Sequence, residues 1–90
     1  MRTSKGITKD FKKIIRIYYE NYELGTKEVM ELFECGRAKA VELKRPILME
    51  QAQRRTPYFD RNKINTKVAY EMWNIDIKDA EERYKRLASL

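Results

Sequence analysis

Apolar residues recur along this chain at helical spacing in separate blocks, divided by short polar or glycine-containing breaks. Phe11, Ile14, Ile15, Tyr18 and Tyr22 fall three and four residues apart, which predicts a first helix over residues 9–22 with Thr8 as its cap. Leu24-Gly25 breaks that pattern, and Thr26 offers a cap for a second helix over 27–34. Its Val29, Leu32 and Phe33 face inward while Glu28, Glu31 and Glu34 stay solvated. Cys35-Gly36 supplies a turn, with Gly36 expected to adopt backbone angles closed to other residues. A third helix starts near Arg37 and meets Pro46, which removes an amide donor and crowds the Glu42 carbonyl. A kink is expected there, with helix continuing to about Gln53. Residues 54–65 read as a wing, in which Pro57, Tyr58 and Phe59 suit a strand edge and Asp60-Arg61-Asn62 a turn; an irregular loop fits equally well. Thr66 caps a fourth helix running to Trp73. Asp76 caps a fifth within 76–90, where Ile77, Ala80, Tyr84 and Leu87 form one stripe. Residues 1–8 are expected to be a flexible start, and the whole chain one domain.

Composition narrows the chemistry. The 90 residues contain one cysteine and no histidine, so an internal disulfide is impossible and the chain lacks a plausible zinc, haem or imidazole-based catalytic set. No catalytic, cofactor-binding or metal-binding residue is assigned and no small-molecule substrate is expected. There is no long apolar run, and the N-terminal MRTSKG leads into an amphipathic stretch instead of a signal segment. That argues against a membrane partner and for a cytoplasmic location. The net charge of +6 favours an anionic partner, and its distribution says more: residues 20–36 carry −4 whereas residues 37–67 carry +6.

The basic segment includes the third helix, whose faces separate at about 100° per residue. Ala40, Leu43 and Ile47 cluster on one side and Ala38, Val41, Glu42 and Arg45 on the other. Arg37 and Lys44 share one flank and Lys39 takes the other. Cations bordering an outward face suit phosphate contact with base reading between them. Arg37, Ala38, Val41, Glu42 and Arg45 are the candidate base readers, since they include a donor for guanine, an acceptor for cytosine and small apolar groups for a thymine methyl. Lys39, Lys44, Arg54, Arg55, Arg61 and Lys63 are the candidate phosphate contacts, adding affinity more than sequence choice. A charged outer helix face is also what any solvated helix hairpin in a basic protein presents.

The string TKEVMELFECGRAKAVELKR, residues 26–45, is similar to the helix-turn-helix of the excisionase and AlpA-like group, a branch near MerR-type regulators. The motif of that group runs roughly T-K-E-V-A-E-I-L-G-C-S-R-S-K-A-Y-E-L-I-R. The likeness rests on Thr26, Lys27, Glu28, Val29, Glu31, Leu32, Cys35, Arg37, Lys39, Ala40, Glu42, Leu43 and Arg45, without a gap. NKINTKVAYEMW, residues 62–73, resembles more loosely that group's wing return and following helix. Met30 and Glu34 stand where the motif has a small residue and a glycine, and Gly36 and Ala38 stand where it has serines. Together with the periodic blocks, which predict a mainly α protein of about five helices, the resemblance implies a winged helix-turn-helix with a short β-hairpin or loop as wing; the first and last helices lie outside the shared region. The resemblance further implies sequence-specific double-stranded DNA binding by a transcriptional regulator or excision and recombination directionality factor of a phage or mobile element, in a bacterial or phage-infected cell.

A rival reading is a small mobile-element protein that docks on a host or phage protein, using the acidic second helix and the tyrosine-rich first. Cys35, Tyr70, Met72 and Trp73 are expected in the core. Adjacent Tyr18 and Tyr19 cannot share one narrow face, so homodimerisation through helix one or the C-terminal helix is a further expectation.

Overall fold

A computed structural model of the chain describes residues 7–90, and in it the periodic blocks become five helices and a two-stranded antiparallel sheet. Helix α1 (Phe11–Glu20) starts at Asp10, whose side chain accepts from the Lys13 N–H at 3.2 Å. Thr8, expected to be the cap, is instead buried, and its backbone N–H donates to the Leu32 carbonyl at 2.6 Å. Of the start expected to be flexible, residues 1–6 lie outside the described residues, and Ile7 and Thr8 pack against the domain.

Strand β1 (Glu23–Leu24) follows α1, and the N-cap of α2 (Thr26–Phe33) is Gly25, where Thr26 was expected. Gly25 has no side chain with which to cap, so the Glu28 carboxylate reaches back and accepts from its N–H at 2.8 Å. Leaving the Gly25 side chain as hydrogen frees space that Lys63 crosses: an added Cβ would sit 3.4 Å from Lys63 Cε. The turn after α2 is made differently from the expectation. Glu34 takes the left-handed conformation at φ 51°, while Gly36 is extended at φ −82° and serves as the N-cap of α3 (Arg37–Gln53).

Helix α3 runs unbroken through Pro46, which lies on the exposed side together with Glu42, so water can satisfy the carbonyl that proline leaves unpaired. Strand β2 (Ile64–Asn65) pairs with β1 in the register Glu23 opposite Asn65 and Leu24 opposite Ile64. Of the two forms expected for this segment, hairpin or irregular loop, the hairpin is absent. Residues 56–63 form an irregular loop whose far end pairs with the segment entering α2. Helix α4 (Thr66–Met72) is capped by Asn65, which accepts from the Val68 N–H at 3.0 Å, while the Thr66 hydroxyl donates to the Asn21 carbonyl at 2.6 Å. Helix α5 (Ile77–Ala88) starts, as expected, at Asp76, whose carboxylate accepts from the Lys78 and Asp79 N–H groups.

The core gathers one stripe from each element: Ile14 and Ile17 of α1, Val29, Leu32 and Phe33 of α2, Ala40 and Ile47 of α3, Leu24 and Ile64 of the strands, and Val68, Tyr70 and Trp73 around α4. Helix α1 packs on α5 and α2 on α3, with β2 and α4 closing the other side of α3. The Tyr70 ring is buried and its hydroxyl donates to the Ile14 carbonyl at 2.8 Å, which satisfies the one polar atom that the ring brings inside. Burial holds that phenol well above its ordinary pKa. The α5 stripe is only partly covered: Ala80 is buried, but Tyr84 and Leu87 are exposed.

Candidate nucleic-acid interface

The free surface of α3 follows from which of its residues the core has claimed. Ala40 and Ile47 are fully enclosed and Leu43 half-buried, and the opposite side, Ala38, Val41, Glu42 and Arg45, is exposed with Met49 continuing it. Arg37 and Lys39, at the start of the helix, are exposed as well. No other helix of the described residues covers this face. The alanines keep its first turn low, so a flat or grooved partner can approach the backbone closely between Arg37 and Arg45.

Lys44 departs from the expectation. Its flank of α3 turns toward the start of α2 and not to solvent, leaving the residue buried with its ammonium donating to Thr26 Oγ1 at 3.2 Å. Burial lowers its pKa, with Asp60 and Glu28 opposing that shift and Arg37 and Lys63 adding to it. Lys44 is thus a buried link between α3 and α2, and the candidate phosphate contact on this flank passes to Lys63, which is exposed and crosses Gly25 nearby.

Arg54 is also less free than its sequence position suggests. Its guanidinium takes Glu71 in a two-pronged pair, both contacts at 3.2 Å, and Glu50 at 2.7 Å. These hydrogen bonds raise the Arg54 pKa, and Arg54 in turn depresses that of Glu71. Glu71 is well exposed and Arg54 and Glu50 are partly so, and the cluster orients Arg54 along the domain more than it stabilises the fold. Arg55, Arg61 and Lys63 are exposed and have no ion-pair partner among the described residues.

The loop that carries Arg61 is mounted by a residue the sequence reading passed over. Glu23 is buried beside the strands, and its two carboxylate oxygens accept from the Phe59 N–H at 2.8 Å and the Asp60 N–H at 3.1 Å. Gln51 of α3 secures the loop's far end, donating to the Lys63 carbonyl at 3.1 Å and accepting from the Asn65 N–H at 2.7 Å. Inside the loop, Asp60 accepts from the Asn62 N–H at 2.9 Å. Glu23 sits in an acidic stretch and Gln51 in a helix tail, and neither position advertises a long-range partner. The signal available was indirect, a carboxylate set between the apolar Tyr22 and Leu24. Tyr58 and Phe59, read as a strand edge, instead project outward, 61% and 87% exposed.

Tyr19 and Tyr22 are exposed, with the Tyr19 hydroxyl donating to Glu81 of α5 at 2.6 Å and its pKa raised by that bond. Tyr18 packs against Tyr70. Cys35 is half-buried against the core, as expected, and Tyr70 and Trp73 are buried. No helix of the described residues is long and apolar enough to cross a membrane. Comparison with protein-family models, curated proteins and solved structures finds no match for the chain.

Proposed function

We propose that this protein binds duplex DNA sequence-specifically as a small winged helix-turn-helix protein of the excisionase and AlpA-like type, with α3 entering the major groove and loop 56–63 serving as the wing. The observation that carries the reading is the uncovered face of α3, where Arg37, Ala38, Val41, Glu42 and Arg45 are all exposed while Ala40 and Ile47 are sealed behind them. That is the division of labour a reading helix requires. A second support comes from Glu34: it stands where the resembled motif has glycine, and its φ of 51° is the conformation glycine adopts most easily. In this reading Arg37 and Arg45 contact bases, Glu42 accepts from cytosine, and Ala38 and Val41 lie against thymine methyls. Lys39, Arg55, Arg61 and Lys63 hold phosphates. The protein acts in a bacterial or phage-infected cell as a regulator or excision factor of a mobile element, and pairs with a second copy through the exposed Tyr84 and Leu87 of α5.

Mobility shifts on a pool of random duplexes at two salt concentrations test the reading. Binding weakens sharply with salt, and Arg37→Ala and Arg45→Ala each cost about 1–3 kcal/mol on the recovered site. Binding indifferent to salt, or no shift at either concentration, overturns it, and the latter is the outcome expected of a protein-docking module.

A further inference from the structure

Phe59 is the most exposed aromatic side chain of the described residues, and the fold holds it there deliberately enough to need a reason. Its backbone N–H and that of Asp60 are both fixed by buried Glu23, and its ring rests edge-on against Tyr22 with centroids 5.4 Å apart. The ring is therefore presented on a braced loop and not left on a loose one. Beside it, Tyr58 lines an open groove of about 690 Å³ along α3 together with Arg55 and Arg61. Lys63 follows at the loop's end, while the one acid of the loop, Asp60, is turned back to the Asn62 N–H.

We propose that Phe59, with Tyr58 beside it, is an aromatic wedge that enters the minor groove next to the site read by α3 and partly unstacks one base step, bending the duplex. The proposal rests on the duplex-binding reading above. Arg55 and Arg61, which share the groove with Tyr58, and Lys63 at the end of the same loop select a polyanion over an apolar or acidic protein surface. Arginines flanking a projecting ring match the minor groove, where cations meet a concentrated negative potential and an apolar side chain can insert between base pairs. A flexible pyrimidine–purine step, which opens most easily, is the sequence this wedge favours.

Ring closure provides the test. Duplexes of about 120 bp with a randomised centre, shorter than the persistence length of about 150 bp, close rarely when ligated alone. On the pool recovered by binding, saturating wild-type protein raises the yield of circles about tenfold, as an added bend in a stiff rod must. Phe59→Ala binds the same pool within about threefold, because the phosphate contacts remain, yet loses the gain in circles. Phe59→Trp keeps it, and Arg61→Ala binds more weakly but still promotes closure at saturation. If the wild type binds without promoting closure, or Phe59→Ala promotes it equally, the wedge is overturned and duplex binding stands. If the wild type fails to bind the duplex pool, the proposed function and the wedge both fall.

Discussion

Lys44 shows how one side chain changes meaning between the chain and the fold. By helical angle it belongs with Arg37 on a flank of α3, but that flank meets the start of α2, and the ammonium spends its charge on Thr26 instead of a ligand. The lowered pKa means that the folded chain holds this proton less tightly than the unfolded one. Both states carry it at neutral pH, where its burial costs the fold. Stability contributed through Lys44 then rises with pH in the interval just below its ordinary value of 10.5, as the folded state releases the proton first. Lys44→Met is accordingly expected to melt no lower than the wild type at pH 7 and to lack that rise, which paired thermal melts across the alkaline range would reveal. The same variant leaves the salt dependence of duplex binding intact, whereas Lys63→Ala reduces the slope by about one unit.

Helix ends govern the next scale. Helices α2, α3 and α4 are each followed by a left-handed residue, Glu34, Arg55 and Asn74, and none of the three is glycine. A residue with a Cβ pays about 1–2 kcal/mol in that conformation, against about 0.5–1 kcal/mol of extra chain entropy lost by glycine on folding. Glu34→Gly should therefore stabilise the domain by roughly 0.5–1 kcal/mol, read as a higher urea midpoint with an unchanged slope. Pro46 stores a larger reserve. It sits inside α3 on the solvent side, where the helix forgoes a hydrogen bond without any packing gain, so Pro46→Ala is expected to add up to about 3 kcal/mol in the same measurement. Glu34 is outside the set of side chains assigned to bases and Pro46 directly follows Arg45 of that set, so a loss of duplex binding in either variant would show that backbone geometry at that end of the reading face matters to recognition.

Across the whole molecule, charge is sorted by the fold as well as by the sequence. Six candidate phosphate contacts precede any structure, but Lys44 is enclosed and Arg54 is engaged by two carboxylates. Four remain: Lys39, Arg55, Arg61 and Lys63. With Arg37 and Arg45 on bases, counterion release predicts that log K falls with log salt at a slope of about −4, where six phosphate contacts would give about −5. Titrations of one duplex at several salt concentrations distinguish the two. The domain is elongated, 42 Å along its longest axis and about 25 Å across, with α1 packed on α5 and α2 on α3.

Helix spacing and inward stripes were legible in the chain because they are local: Ile14, Val29, Leu32, Ala40 and Ile47 repeat at intervals the backbone geometry imposes, and Asp76 caps through its own next turn. The outward set on α3 was legible for the same reason, as the complement of a buried stripe. What surrounds each helix was not. The pairing of Glu23–Leu24 with Ile64–Asn65, the grip of Glu23 on the Phe59 loop and the burial of Lys44 join residues 18 to 42 positions apart, and no periodic signal reaches that far. Sequence settled which faces are apolar; only tertiary packing decided which polar groups lie against them, because a long side chain accepts burial or solvent according to the partner that folding brings within hydrogen-bond range.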